Sequence, residues 1–398
     1  MYTYTSNKQL NTYLTEMKSL EDTYLGFPNN MSYDYSDITS SSGVYLNNAG
    51  DPFGPLSWKK HSKVFEREVL HFFMKLYGLA RHKGWGYITT GGTEGNMQGM
   101  LIARDTMVDG VCFFSQDTHY SIKKIMRLLK IKYHEVPSLE NGEIDCVELD
   151  KLIKKYNPPS VIMVINCGTT VKGAFDPLEK IKQILKANAI NRSYFHVDAA
   201  LSGMIVPFVK GAPYYSFNKG VDSIAISAHK FLGTPLISGV VIVKKDRLSA
   251  VREKVEYINS YDTTILGSRN GHAPLYIWYA IKKYGKKRFS KDANTCIELS
   301  KYLCSKLAEL DFDPHLNEYS NTVYFDKPSE SIIDAWQLSC SGDIAHIIVM
   351  QHVTKNMIDR FVASIRLERE AQAQPDLRSV QLSRLGQVRS FFAHLYAR

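Results

Sequence analysis

The sequence predicts an α/β fold with a large, mostly parallel sheet covered by helices on both faces, followed by a smaller α/β domain. Short apolar runs alternate with helical segments over the middle of the chain, a pattern typical of parallel sheets. The pattern changes near residue 280, where a second group of helices and strands begins. The 398 residues, 44% of them hydrophobic, are enough to bury a large core.

The first part of the chain divides into an arm and a large domain. Residues 1–55 are polar and rich in tyrosine and turn-forming residues, and we interpret them as an N-terminal arm and loop. Residues 56–280 form the predicted large domain, which opens with an amphipathic helix at 64–76 because apolar residues recur there every three or four positions. A further helix is expected from residue 97 to 104. The predicted strands lie at 85–90, 111–114, 161–165, 195–197, 224–226 and 240–243.

The second part of the chain predicts a small C-terminal α/β domain over residues 281–365. After Arg366, arginine and glutamine replace lysine, and we treat residues 366–398 as a C-terminal extension that forms an extra helix or a subunit contact. The predicted elements of the small domain are a helix at 294–310, strands at 321–325, 336–340 and 344–350, and a helix at 354–365.

The chain carries a formal net charge of +9, with a pI near 9.0. The basic residues are scattered and no RNA- or DNA-binding motif accompanies them, so we interpret the charge as a solvated surface and expect no nucleic-acid partner. The densest basic run has helical spacing and predicts an exposed helix; it contains Lys123, Lys124, Arg127, Lys130 and Lys132.

Six cysteines occur without the CxxC spacing of a zinc site, and we expect neither a metal centre nor a disulfide framework. This cysteine usage fits a reducing compartment. No apolar run approaches the ~18 residues that would span a bilayer, and the first residues lack the pattern of a targeting segment. We therefore expect a soluble, cytoplasmic protein without membrane contacts.

Lys230 and Asp198 each follow a short apolar run, at the point where a parallel strand would end. In open α/β sheets, ligands bind beyond the carboxyl ends of the strands. A lysine that can condense with an aldehyde, together with a carboxylate that keeps a pyridine nitrogen protonated, is the pair that a pyridoxal phosphate (PLP) site requires. Singly, the two residues would be interpreted as a solvated lysine and a helix-capping aspartate, but together they predict a PLP enzyme.

A glycine-rich stretch, Gly-Gly-Thr-Glu-Gly-Asn at residues 91–96, follows the first predicted strand and opens a helical run. Glycines let the backbone approach an anion, and a helix N-terminus presents free N–H groups to a phosphate. The stretch is therefore a candidate phosphate cradle, with a simple helix-capping turn as the alternative. Ser227 and His229, beside Lys230, could add donors to the same phosphate.

Two other polar residues lie where predicted strands end. His119 is placed between a strand and a helix, where its ring could stack on the cofactor or touch the substrate carboxylate, although a single histidine usually does neither. Thr170 follows another strand and could place its hydroxyl near the ring. Asp176, which precedes a proline, is more typical of a helix start.

Seven motifs, in order along the chain, resemble those of the group II PLP-dependent amino-acid decarboxylases. Within that family the resemblance is best to the short bacterial histidine decarboxylases and the plant serine decarboxylases. The motifs lie at residues 91–96, 117–121, 168–174, 198–204, 229–230, 267–272 and 341–346.

The resemblance implies a PLP fold type I homodimer with its active sites at the subunit interface and a small amino-acid substrate. It implies that Lys230 binds the cofactor covalently, that Asp198 partners the pyridinium nitrogen, and that His119 stacks on the ring and lines the substrate pocket. The residues that map to the phosphate side are Thr93, Glu94, Ser227 and His229.

A further motif of the family, matched by Ser268 and Arg269, is expected to reach the cofactor of the neighbouring subunit; an interface salt bridge is the alternative for Arg269. The chain departs from the family pattern at Ala228, where glycine is common, and at Val197, where a smaller residue is usual. Both are apolar replacements behind the reacting groups, so they affect packing more than chemistry.

The group that protonates the substrate carbon is left open by the sequence. Larger relatives carry a mobile loop with a catalytic tyrosine, and the corresponding segment 257–264 is short here. Tyr261 and His119 are the two candidates for the proton donor.

The expected reaction is the decarboxylation of an L-amino acid. The resemblance favours histidine, giving histamine and CO₂, over serine, giving ethanolamine. A second hypothesis keeps the cofactor but changes the outcome, to aldehyde synthesis through reaction with oxygen or to transamination through protonation on the cofactor. A third, a non-enzymatic oligomeric scaffold, is disfavoured because Lys230, Asp198 and His119 are all present.

Overall fold

The computed structural model describes residues 7–250, 253–255 and 260–373. Its first element is a helix that the sequence analysis did not predict, α1 (Asn7–Ser19). The apolar side chains of α1 recur at helical spacing, yet they are exposed. Farther along the arm, Leu25 is part of the small domain's core, so this part of the arm belongs to that domain's packing.

The large domain is built on a seven-stranded sheet in the order β1-β7-β6-β5-β4-β2-β3. Six strands run parallel, and β7 runs antiparallel to both of its neighbours, β1 and β6. The mostly parallel sheet that the sequence predicts is thus confirmed. The strands are β1 (Gly84–Thr89), β2 (Gly110–Ser115), β3 (Tyr133–Val136), β4 (Ser160–Asn166), β5 (Ser193–Asp198), β6 (Ser223–Ser227) and β7 (Gly239–Lys244).

Helices cover both faces of this sheet. In the central strand β4, Ile162 and Val164 belong to the hydrophobic core on one face of the sheet. Met163 and Ile165 belong to the hydrophobic core on the other face. The alternation follows from the two-residue period of a strand. Helices α3 and α4 cover the first face and α2, α5 and α6 the second: α2 (Lys63–Leu76), α3 (Gly92–Thr106), α4 (Ser121–Leu129), α5 (Cys146–Tyr156) and α6 (Leu178–Ala187).

The end of the large domain is less regular. The short helix α7 (Ala228–Phe231) follows β6 directly, and a two-stranded hairpin, β8 (Glu253–Val255) and β9 (Ser260–Asp262), follows β7. The chain then enters α8 (Ala273–Lys283), which packs against α2 through an edge-to-face contact of the Trp278 and Phe65 rings at 5.0 Å.

The small domain contains a four-stranded antiparallel sheet in the order β10-β11-β13-β12, packed against three helices. The predicted strand at 336–340 is wrong: a helix continues to Trp336, Gln337 takes a left-handed φ of 48°, and the strand begins only at Ser339. The elements are α9 (Gly285–Ala308), β10 (His315–Leu316), β11 (Thr322–Asp326), α10 (Glu330–Trp336), β12 (Ser339–Ser341), β13 (Ile344–Ile348) and α11 (Lys355–Ala373).

The predicted fold class is confirmed, whereas the bounds of the four predicted segments stay predictions. Within the described residues, no helix is both long enough and apolar enough to cross a bilayer. The same part of the chain has no cluster of three or more His, Cys, Asp or Glu side chains arranged to hold a metal ion. All six cysteines are free.

Candidate active site

The carboxyl ends of the parallel strands bring the predicted site residues to one edge of the sheet. Asp198 is the last residue of β5, Ser227 is the last residue of β6, and Lys230 lies in α7, one turn beyond that strand. His119 lies in the connection between β2 and α4. Neighbouring parallel strands end side by side, so residues distant in sequence meet at this edge.

Asp198 is 6% exposed and is held by two hydrogen bonds from its own chain. Its Oδ2 accepts from the side-chain amide of Asn96 at 2.8 Å, and its Oδ1 accepts from the backbone N–H of Ala200 at 3.1 Å. The carboxylate is therefore fixed in position before any ligand binds.

Lys230 is partly buried at the same edge of the sheet. Burial lowers the pKa of the Lys230 ammonium, and the Asp198 charge opposes part of that effect. The opposing effect means that the two groups lie within electrostatic range of each other. A lysine with a lowered pKa is a better nucleophile at neutral pH, because a larger fraction of it is the free amine.

His119 belongs to the same environment. Burial lowers the pKa of its imidazole, Asp198 raises that pKa, and Lys230 and Lys124 lower it further. Its Nδ1 accepts from the backbone N–H of Ser121 at 3.3 Å and lies 2.7 Å from the Ser121 hydroxyl. Because a backbone N–H can only donate, neutral His119 carries its proton on Nε2.

The glycine turn before α3 forms a cradle with two of the predicted phosphate-side residues. Gly91 has a φ of 138°, a conformation that favours glycine, and α3 starts at Gly92. A Cβ built on Gly92 would lie 2.7 Å from the Ser227 hydroxyl, and one built on Gly91 would lie 3.9 Å from Cε1 of His229. The cradle therefore combines a helix N-terminus with a hydroxyl and an imidazole, as a phosphate requires.

Glu94 and Thr93 occupy the first turn of α3 in different ways. The Glu94 carboxylate is buried and accepts from the Tyr87 hydroxyl at 2.9 Å and from the backbone N–H and hydroxyl of Thr90, both at 2.7 Å. The Glu94 carboxylate therefore supports the turn, and the group that Glu94 can offer to a phosphate is its backbone N–H. Thr93 is exposed at the same turn.

Thr170, the predicted cofactor contact after β4, lies at the surface of the single chain. It is exposed in the turn after β4, whereas the neighbouring Thr169 is buried and its hydroxyl accepts from the backbone N–H of Ala174 at 2.9 Å. The structure does not place the Thr170 hydroxyl among the buried groups of the site, and its contact with the cofactor stays a prediction.

The expected reach of Arg269 into a neighbouring subunit needs correction. Its guanidinium is buried inside its own chain, where it forms an ion pair with Glu66 and donates to the carbonyl of Gly50 at 2.9 Å. Glu66 is fully buried, so its carboxylate requires this counter-charge. Ser268 is exposed and its hydroxyl accepts from Asn47 at 3.1 Å, so its cofactor contact stays a prediction.

Tyr261 lies in β9, and its side chain is outside the described part of the structure. Its role as a proton donor therefore stays a prediction. His119, the other candidate, lies in the described part of the chain, and its neutral ring carries a proton on Nε2.

Several buried residues that support the site were missed by the sequence analysis. In the sequence, Asn96 stands out only as part of the glycine motif and His196 only as part of a predicted strand. His196 lies two residues before Asp198, a spacing that places His196 and Asp198 on one face of β5. Asp176 lies just before α6, where the sequence predicts a helix start, and its buried carboxylate also accepts from Asn166; burial raises its pKa to about 6.

These residues fit PLP: a lysine with a lowered pKa, a fixed carboxylate, a histidine in electrostatic range of both, and an anion cradle at a helix N-terminus. The model of the pyridoxal-dependent decarboxylase conserved domain matches residues 61–317, and the chain belongs to this family of PLP-dependent enzymes.

Two curated relatives and one solved structure illustrate the similarity. Serine decarboxylase 1 of Oryza sativa subsp. japonica is 40% identical over 349 residues, covering 87% of this chain and 72% of the relative. Histidine decarboxylase of Solanum lycopersicum is 39% identical over 377 residues, covering 93% and 91%. A solved structure of L-methionine decarboxylase from Streptomyces sp. 590 superposes with a TM-score of 0.83 at 25% identity, covering 89% of this chain and 93% of that one.

The chain is a PLP-dependent carboxy-lyase that acts on an amino acid. The predicted cofactor, fold type and reaction class are thereby confirmed. The relatives include both histidine and serine decarboxylases at similar identity, so they do not single out the substrate.

Proposed function

We propose that this chain decarboxylates L-histidine, releasing histamine and CO₂, with L-serine, which would give ethanolamine, as the second candidate substrate. The observation that supports histidine is coverage. The chain spans 91% of the histidine decarboxylase of Solanum lycopersicum at 39% identity, but 72% of serine decarboxylase 1 of Oryza sativa at 40% identity. The nearly equal identities are the reason for retaining serine.

Lys230, Asp198 and His119 are the residues that we propose to act on the cofactor and substrate. Bound PLP supplies a ring that accepts the electron pair left on Cα when CO₂ departs. Lys230 holds the cofactor through its Nζ, and Asp198 keeps a proton on the ring nitrogen, because a nearby carboxylate raises the pKa of a cation. The support is the shared electrostatic environment of the three groups.

The phosphate side of the proposed site consists of the cradle at the start of α3. Ser227 donates its hydroxyl, and the backbone N–H groups of Thr93 and Glu94 lie in the first turn of the helix, where N–H groups lack partners within the helix. His229 donates from Nδ1 to the carbonyl of Ser238 at 2.9 Å, which fixes its ring beside the cradle; its Nε2 donates to a phosphate only in the protonated ring.

Proton delivery completes the proposed reaction. His119 donates its Nε2 proton to the substrate carbon, with Tyr261 as the alternative donor. Delivery to Cα releases the amine, whereas delivery elsewhere would lead to transamination, so the placement of this one proton decides between the two outcomes.

The substrate is tested by incubating the PLP-loaded protein with a panel of L-amino acids and measuring CO₂ and the amine formed. Histamine as the main product supports the proposal, and ethanolamine supports the second candidate. An aldehyde formed together with peroxide would contradict decarboxylation as the final outcome.

Lys230→Ala is the matched control for this assay. We expect turnover to fall to the level of a blank, because no other side chain replaces the amine, while the circular dichroism spectrum stays that of the wild type. A Lys230→Ala protein with normal turnover would refute the assigned role of this lysine.

We also propose that the protein is a cytoplasmic homodimer with the partner close to the active site. Ile237 supports this: it is 63% exposed, and its Cγ2 lies 3.5 Å from the position of a Cβ on Gly91, at the phosphate cradle. A second apolar surface is the exposed face of α1, which consists of Leu10, Tyr13, Leu14 and Met17. Exposed apolar clusters of this kind are typical of protein interfaces. The free cysteines support the compartment.

A further inference from the structure

A chain of four buried polar groups leads from the core of the large domain to Asp198. The Ser223 hydroxyl lies 2.7 Å from Nδ1 of His196, and Nε2 of His196 lies 2.9 Å from Oδ1 of Asn96. The Asn96 amide nitrogen then reaches Oδ2 of Asp198 at 2.8 Å. All four side chains are at least nine-tenths buried.

The direction of these hydrogen bonds follows from the chemistry of their ends. A carboxylate only accepts, so the Asn96 amide nitrogen donates to Asp198 and its Oδ1 is left to accept. His196 must therefore donate from Nε2, and its Nδ1, when the ring is neutral, accepts from the Ser223 hydroxyl. Burial lowers the pKa of His196 to about 4, which keeps the ring neutral at pH 7 and agrees with this direction.

Gly99 shows that α3 and β5 are built around this contact. A Cβ at position 99 would lie 2.3 Å from Nδ1 and 2.4 Å from Cε1 of His196, so only glycine lets the helix pass over the ring. Glycine inside a helix costs about 0.5–1 kcal/mol relative to alanine. The close approach of the imidazole accounts for a residue that helix propensity disfavours.

We propose that Asn96 and His196 are positioning residues that aim the Asp198 carboxylate at the cofactor ring. The proposal rests on the proposed role of Asp198. Asn96 fixes one carboxylate oxygen, His196 fixes the orientation of the Asn96 amide, and Ser223 fixes the tautomer of His196. Asn96 and His196 each use one donor and one acceptor, Ser223 donates and Asp198 accepts, so the chain has a single direction.

Asn96→Leu tests the proposal, because it keeps the side-chain volume and removes the donor. A hydrogen bond to a charged group corresponds to roughly a 10- to 100-fold change in an equilibrium or rate. We expect the dissociation constant of PLP from the apo-protein to rise by about that factor and kcat to fall by a similar factor. KM should change less than about threefold, because Asn96 does not touch the substrate.

A double-mutant cycle separates positioning from a general structural role. In an Asp198→Ala background, Asn96→Leu should not weaken PLP binding further, because its partner is already absent. Asn321→Leu is the matched control: this equally buried asparagine donates to the Val349 carbonyl in the small domain. We expect the control to lower the melting temperature but to leave PLP affinity unchanged.

A pair of variants at His196 provides a second test if Asn96→Leu does not fold. Glutamine at this position can still donate to Asn96, whereas leucine cannot. We expect His196→Gln to retain PLP affinity within about threefold and His196→Leu to lose it by the factor given for Asn96→Leu. Equal affinities for the two variants would overturn the proposal.

The outcomes distinguish this inference from the proposed function. Wild-type affinity and kcat in Asn96→Leu, beside a strongly impaired Asp198→Ala, would overturn the inference alone. Normal turnover and PLP binding in Asp198→Ala would instead remove the proposed role of Asp198, and the inference with it.

Discussion

Two buried histidines make the protein sensitive to acid. Burial lowers the pKa of His196 and of His346 from the ordinary value of 6.5 to about 4. Between these two values the unfolded chain binds a proton at each site and the folded chain does not. Stability from these sites is therefore complete above about pH 6.5 and is lost as the pH falls towards 4.

The variant His346→Leu tests this effect outside the active site. Each of the two histidines contributes about 3 kcal/mol of unfolding free energy between its unfolded and folded pKa values, because one pKa unit corresponds to about 1.4 kcal/mol. Between pH 7 and pH 4, the variant should lose about 3 kcal/mol less unfolding free energy than the wild type. Urea unfolding at both pH values measures the difference; equal losses in the two proteins would contradict a neutral, buried His346.

The residues proposed to act on the cofactor stand out in the sequence, whereas the residues that hold them in place do not. Lys230 and Asp198 stand out because their side-chain types are chemically distinctive at strand ends. Asn96 and His196 matter only through the crossing of α3 over β5, which depends on packing. The ion-pair partner of Arg269 could not be predicted for the same reason. That partner, Glu66, lies about 200 positions away in the sequence.

At the scale of single elements, α3 carries the sharpest constraint. Gly99→Ala would place a methyl group against the His196 ring. We expect a loss of about 1–3 kcal/mol of stability, typical of overpacking, in spite of the better helix propensity of alanine. Thermal unfolding measures the loss, and PLP binding should weaken because the ring must move.

Gly43→Ala is the control for this substitution. A Cβ at Gly43 would meet nothing within 4 Å, so we expect a change within about 0.5 kcal/mol. Equal stabilities for the two alanine variants would argue against close packing of α3 on His196.

Most elements of the large domain follow from periodicity, but two other features did not. The helix α1 was missed because its apolar spacing lies in a segment whose overall composition is polar. The prediction of a strand at 336–340 failed because the alternation of apolar and polar residues there indicates a strand, whereas the left-handed conformation of Gln337 ends a helix at Trp336.

At the scale of the whole molecule, the exposed face of α1 predicts self-association. We expect sedimentation at twice the 45.2 kDa chain mass. The double variant Leu10→Lys/Leu14→Lys should shift the protein towards the monomer, because it places charges on a surface that association would bury. Both positions are exposed in the single chain, so the fold should be unaffected.

Val108→Lys serves as the matched control, because Val108 is an equally apolar and even more exposed residue in the turn after α3. It should leave the sedimentation coefficient unchanged. A monomeric wild-type protein, or a double variant that sediments like the wild type, would argue against α1 as a dimer contact.

The first turn of α3 lies at the phosphate cradle, and Asn96 of the same helix holds the group proposed to meet the opposite end of the cofactor. Successive residues of a helix are rotated by about 100° and rise 1.5 Å. Inserting one residue between Thr93 and Asn96 would therefore swing the amide to another side of the helix. The helical geometry of α3 thus fixes where the Asn96 amide lies relative to the phosphate cradle.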